Sequence, residues 1–184
     1  MNETKIVSVY TDGAASPNPG RGGYGVVIIH EGRRWEYSGG FRATTNNRME
    51  LMGTIVGLRT CLSINRLGGE KPSVVLYSDA KYVVDMFNGG YAAQWRANGW
   101  TRNKGRDKAC NPDLWAELLT LAEQHDLRME WVKGHASNVE NARCDELAVA
   151  ARQAENLPPD PGYEAPALSE APAIHQATFL DCLN

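Results

Sequence analysis

The stretch KIVSVYTDGAASPNPGRGGYGVVIIHEGRRWEYSGGF, Lys5 to Phe41, decides how this chain folds. It opens on a β-favouring run, Lys5 to Thr11, that ends at Asp12, and continues through a loop rich in Gly and Pro from Gly13 to Gly23. Two more strands follow, the apolar run Tyr24 to His30 and the segment Arg34 to Phe41, in which Trp35, Tyr37 and Gly39 alternate with polar neighbours. Alternation with period two marks a strand buried on one face, and Glu31 to Arg33 is short enough to close a hairpin. Gly20, Gly22 and Gly25 also satisfy the G-x-G-x-x-G spacing of dinucleotide-binding sites. That motif needs a helix after its glycines, to aim backbone N–H groups at a pyrophosphate. Here the β-favouring run Val26 to Ile29 follows, so the glycines read as a turn entering a strand.

Downstream the period changes. Thr44 or Thr45 offers an N-cap to a helix whose Leu51, Ile55, Leu58 and Leu62 keep helical spacing, with Glu50 in an early turn. Ser73 to Ser78 is a compact apolar strand ending at Asp79, and a short helix from about Lys81 stops at Gly89 and Gly90. Asn111 and Pro112 open another helix, with Leu114, Leu118 and Leu121 on its inner side. Arg128 to Val132 is the last strand, and a final helix runs from near Asn138 to about Ala154. Three strands, a helix, a strand, two or three helices, a strand and a helix imply an α/β fold: a mixed five-stranded sheet flanked by helices.

At 184 residues the chain suits a single domain, expected over residues 1–155. Its formal charge of -3 argues at first against a nucleic-acid partner, because phosphate binding relies on clustered Lys and Arg. Five of the 22 acids and none of the 19 bases lie from Gln153 onward, so the preceding part carries +2. From residue 156 the composition turns to Pro, Ala and acids, which suggests a disordered acidic tail that could be removed at little cost. Its closing stretch, Thr178 to Leu183, reads either as a frayed end or as a peptide that docks on another protein. Cys61, Cys110, Cys144 and Cys182 are scattered and read as reduced thiols. Neither a secretory signal nor a membrane-spanning stretch is visible, so a cytoplasmic monomer is expected, without a membrane partner.

Two of the strands end in aspartate, Asp12 and Asp79, each beside a small residue, Gly13 or Ala80. Ligands gather at the carboxyl ends of strands in α/β sheets, so the two carboxylates converge if those strands are parallel neighbours. Glu50 on the intervening helix and Asp145 on the last helix are the third and fourth candidates. Four such acids repel unless a cation sits among them, and hard oxygen ligands suit magnesium or manganese. Singly, each acid reads equally as a turn former, a helix cap or a solvated side chain.

Six segments together resemble the successive signatures of the type 1 ribonuclease H family: YTDGAASPNPG (Tyr10 to Gly20), GGYG (Gly22 to Gly25), TTNNRMEL (Thr44 to Leu51), YSDAKYV (Tyr77 to Val83), WVKGHA (Trp131 to Ala136) and ENARCDELA (Glu140 to Ala148). The similarity spans roughly residues 4–153, in the family's order and spacing. The resemblance implies a ribonuclease H-like fold and hydrolysis of the RNA strand of RNA/DNA hybrids. Asp12, Glu50, Asp79 and Asp145 would hold two Mg2+ ions, with Mn2+ as a substitute, giving 5′-phosphate and 3′-hydroxyl ends. His135 would move a proton or help release product. Asn18, Asn46 and Asn47 would read base edges and ribose hydroxyls, while Thr45 and Asn111 would cradle a phosphate of the DNA strand. Tyr91 stands where many relatives carry a tryptophan, a departure that bears on the contact with the DNA strand.

Trp95 to Lys108 concentrates the positive charge, with Arg96, Arg102, Lys104, Arg106 and Lys108 against the single acid Asp107. It resembles the family's basic handle, and these residues with Tyr91 and Trp95 are the expected grip on the hybrid. Trp95 and Trp100 also read as core anchors for that segment. Another nuclease or strand-transfer enzyme of the same fold would share the acid cluster, and a non-catalytic hybrid-binding module would share the handle.

Overall fold

The computed structural model describes residues 6–64, 71–134 and 138–164. Three antiparallel strands open it, β1 (Val7–Ala15), β2 (Gly20–His30) and β3 (Arg33–Thr44). The helix α1 (Asn46–Ile64) follows, then β4 (Ser73–Ser78), α2 (Lys81–Asn88), α3 (Tyr91–Ala97), the short strands β5 (Thr101–Arg102) and β6 (Asp107–Lys108), α4 (Pro112–Ala122), β7 (Asp126–Trp131) and α5 (Val139–Arg152). The main sheet has the order β3-β2-β1-β4-β7, with β4 parallel to both β1 and β7. This is the mixed five-stranded sheet that the sequence implies; β5 and β6 form a separate hairpin.

Period two divides the sheet's faces. Val7, Val9, Val26, Ile28, Val74 and Leu76 pack with Leu51, Ile55 and Leu58 of α1 and with Trp115 and Leu118 of α4 in one buried cluster. The opposite face is covered by α5, whose Cys144 thiol donates to the Tyr10 carbonyl at 3.2 Å. A Cβ on Gly25 would overlap the Cys144 backbone, so the glycine lets α5 lie directly on β2. The expected loop from Gly13 to Gly23 is therefore shorter than its composition suggests: β1 runs to Ala15 and β2 begins at Gly20.

Part of the expected tail has a defined place on the domain. The segment from Leu157 to Glu164 folds back on the sheet edge: the Arg42 N–H donates to the Pro158 carbonyl at 2.9 Å, and Asp160 is 1% exposed. Proline content hides this, because one buried carboxylate with strong partners anchors a segment that is otherwise polar and stiff. Residues 165–184, with the docking stretch Thr178 to Leu183, lie outside the described residues. Cys61 and Cys144 are free thiols, whereas Cys110 is disulfide-bonded and departs from the expectation of a reduced thiol. No helix among the described residues is long and apolar enough to cross a membrane.

Candidate active site

Parallel pairing of β1 and β4 aligns Thr11 with Ser78, which sets Asp12 and Asp79 next to each other one residue further on. Glu50 joins them from α1 because a Cβ on Gly13 would overlap the Met49 and Glu50 backbone; only glycine permits that approach. Carboxylate oxygens of Asp12, Glu50 and Asp79 lie within 4.8 Å of one another. Asp12 and Glu50 are buried and Asp79 is half-buried. Asp12 Oδ1 accepts the Gly13 N–H at 2.7 Å. Asp145, half-buried on α5, stands outside this triad of close oxygens but within electrostatic range of Asp12 and Glu50.

The electrostatics follow from crowding. Burial, and then the negative charges of Asp79 and Asp145, push Asp12 up to about 7 against the opposing Gly13 N–H. Burial raises Glu50 well above the carboxylate range, with Asp12 and Asp79 adding to it. Among the described residues, no Lys or Arg stands among the causes of either shift. Among the described residues Glu50 Oε2, Thr11 Oγ1 and Asn141 Oδ1 are buried without a hydrogen-bond partner. Several hard oxygen donors, crowded and lacking a protein cation, fit a divalent metal ion. The acidic cluster can hold one.

Asn141 escaped the sequence reading. Its Nδ2 donates to Asp79 Oδ2 at 3.3 Å, and it is 2% exposed. The available signal was its spacing of four from Asp145, which puts both on one face of α5. Trp131 was missed too: its indole N–H donates to the Asp79 carbonyl at 3.1 Å while 52% of the residue stays exposed. His135 lies outside the described residues. The chain that leads to it passes against the site, since a Cβ on Gly134 would collide with the Asp79 carboxylate.

The asparagines cluster beside the acids. Asn18 Oδ1 accepts the Asn46 N–H at 3.1 Å, and Asn46 Oδ1 accepts the Ala15 N–H at 3.1 Å. Asn47 is half-buried beside them, and Thr45 precedes α1, its hydroxyl accepting the Arg48 N–H at 3.4 Å. Asn111 takes the left-handed conformation at the start of α4, φ 53°, and makes no side-chain capping bond. Thr45 and Asn111 thus stand at the N-termini of two helices that pack on each other.

The basic segment forms α3 and the β5–β6 hairpin. Lys104, Arg106 and Lys108 are exposed, Arg102 is half-buried, and Tyr91 is 49% exposed. A cleft of about 790 Å³ opens beside them, lined by Tyr91, Trp95, Arg102 and Lys104 among others. Arg96 is held by Glu123 at 2.5 Å. Trp95 is 9% exposed and packs edge-on against Trp115, ring centroids 6.2 Å apart, which fits the reading of it as a core anchor for the handle.

The RNase H family model matches residues 4–153, which hold all of this geometry. The chain belongs to the RNase H family. This RNase H family member is 54% identical over 159 residues to the ribonuclease H of Trichodesmium erythraeum, covering 86% of this chain and 96% of that one. It is 56% identical over 156 residues to the ribonuclease H of Desulforamulus reducens, covering 85% and 93%. Among solved structures it is similar to LC9-RNase H1, a type 1 RNase H, with a TM-score of 0.67 at 30% identity over 82% of this chain and 73% of that one. LC11-RNase H1, solved in complex with an RNA/DNA hybrid, gives a TM-score of 0.60 at 25% identity, covering 79% and 95%.

Proposed function

We propose that this protein hydrolyses the RNA strand of RNA/DNA hybrids, using two Mg2+ ions held by Asp12, Glu50, Asp79 and Asp145. The observation that carries the reading is the triad of carboxylates with oxygens within 4.8 Å of one another and no basic side chain contributing to the shifts of its two buried members. When bound, the metal ions supply an activated water and stabilise the leaving 3′ oxygen. The balance is that of a hydrolysis: the water oxygen bonds to phosphorus, the bond from phosphorus to O3′ breaks, and a proton ends on O3′. Asn141 holds one Asp79 oxygen and so limits which of its lone pairs remain for coordination.

Asn18, Asn46 and Asn47 read the minor groove, where the ribose hydroxyl separates RNA from DNA. Thr45 and Asn111 hold a phosphate of the DNA strand against two helix N-termini. Tyr91, Arg96, Arg102, Lys104, Arg106 and Lys108 grip the hybrid further along, and His135 moves protons at the scissile bond. Supporting this are the names of the relatives and the hybrid-bound state of one structural neighbour. Incubation with RNA/DNA, RNA/RNA and DNA/DNA duplexes, with and without Mg2+, tests it. Cleavage confined to the RNA of the hybrid, dependent on the metal and leaving 5′-phosphate and 3′-hydroxyl ends, is expected; metal-independent hybrid binding without cleavage would indicate a binding module instead.

A further inference from the structure

Arg48 lies in the first turn of α1, between Asn46 and Glu50, and is 3% exposed. Its guanidinium is bound on two sides. Nε and Nη2 donate to Asp160 Oδ2 and Oδ1, both at 2.7 Å; Nη1 and Nη2 donate to Asp113 Oδ1 and Oδ2 at 3.0 and 2.7 Å. Nη1 also reaches Asn111 Oδ1 at 3.5 Å. Asp160 is held in turn by the Thr44 hydroxyl at 2.6 Å and by the Gly162 N–H at 3.1 Å. One planar cation therefore links the end of β3, the start of α1, the start of α4 and the segment from Leu157 to Glu164.

Removing two charges from water costs more than burying apolar side chains of the same size, so a buried ion pair is a poor device for stability alone. What a doubly bidentate guanidinium supplies is geometry, because its fork donates to carboxylates only in fixed directions. The direction fixed here is that of α1 relative to α4, the two helices whose N-termini carry Thr45 and Asn111.

We infer that Asp160, acting through Arg48, is a positioning residue for hybrid binding: this one carboxylate sets the spacing of Thr45 and Asn111 and with it the fit of the phosphate between them. This rests on reading Thr45 and Asn111 as the phosphate cradle. Cleavage of hybrid by the full chain is measured for Asp160→Asn, Asn111→Ala and the double variant, well below each melting temperature. Asp160→Asn is expected to raise KM about 3- to 10-fold with kcat nearly unchanged, the range of effects carried by residues that modulate a site without touching its ligand. The double variant is expected to be little worse than Asn111→Ala alone, since both changes act on one contact. Glu164→Gln, which breaks only the exposed pair with Arg42 (2.8 Å), leaves KM unchanged.

A merely structural role would lower the melting temperature of Asp160→Asn without moving KM, or would add to Asn111→Ala in full; either result overturns the inference. Should Asp160→Asn not fold, Asp160→Glu keeps the charge and displaces it by one methylene, and an unchanged KM there overturns the inference equally. An Asn111→Ala variant with normal KM removes the phosphate cradle itself, whereas a raised KM in Asn111→Ala beside a normal one in Asp160→Asn removes only the role of Asp160.

Discussion

Asp12 and Asp79 stand side by side at the carboxyl ends of two parallel strands, one residue past the paired Thr11 and Ser78. Both carboxylates face the same small volume as Glu50, where burial and mutual repulsion raise Asp12 and Glu50 above the carboxylate range. Asp12→Asn should nearly abolish cleavage while hybrid binding persists, because a neutral amide is a poorer metal ligand. The same change should raise the metal-free melting temperature near pH 8 by about 3–10 °C, since it removes a buried charge costing on the order of 1–3 kcal/mol. Near-normal turnover in Mg2+, or a lowered metal-free melting temperature, would sink the assignment.

A pH dependence with a definite sign follows. Asp12 rises from an ordinary 3.8 to about 7 on folding, so between these values the folded state holds a proton that the unfolded state has lost. Stability of the metal-free protein therefore falls as pH rises through that window. Metal binding needs the deprotonated carboxylates, so the gain in melting temperature on adding Mg2+ should be large at pH 8 and small at pH 5. Melting curves at the two pH values, with Mg2+ and with a chelator, check it; a Mg2+ gain independent of pH would contradict it.

Much of this site was legible because short-range signals agreed with the tertiary fold. The apolar run ending at Asp79 and the Asn111-Pro112 junction fall where strand β4 and helix α4 end and begin. The glycines at the start of β2 misled, because Gly23 is required by α5, more than a hundred residues away, and a local reading sees only a loop. Asp160 was hidden for the same reason: its partner Arg48 is 112 residues earlier, and nothing in the surrounding prolines announces a buried carboxylate. Trp95 was ambiguous until Trp115 was seen beside it.

His135→Ala should slow cleavage without abolishing it, by up to the roughly 10²- to 10⁴-fold that acid-base assistance supplies, because the carboxylates and their metals remain. The close pass of Gly134 to Asp79 is the motivating observation. A pH–rate profile unaltered by the substitution would return His135 to an ordinary surface residue.

Replacing Arg102, Lys104, Arg106 and Lys108 together by Ala should raise KM much more than it lowers kcat. These side chains sit on the handle, apart from the triad, and are proposed to act on the phosphate backbone. The logarithmic dependence of affinity on salt should flatten by about 1–3, one increment for each phosphate that the variant no longer neutralises. An unchanged salt slope would show that the hairpin does not meet substrate.

Composition alone suggests that the end of the chain from residue 157 is dispensable, whereas the contacts of Asp160 predict that its removal is costly. Deleting residues 157–184 strips Asp160 from Arg48, which is 3% exposed in the full chain, and leaves Asp113 as its acid partner among the described residues. It also deprives the buried Thr44 hydroxyl of its acceptor. Breaking a buried pair from one side costs about 3 kcal/mol, which corresponds to a melting temperature lower by about 6–12 °C in a chain of this size. Arg48 cannot relieve the loss by giving up its proton, because a guanidinium stays charged with or without Asp160. Adding Arg48→Met to the deletion should recover part of the stability, because the isolated charge is then gone. Melting curves of the full chain, the truncated chain and the truncated Arg48→Met chain decide the matter; a truncated protein that melts with the full chain would mean that water or Asp113 alone satisfies Arg48.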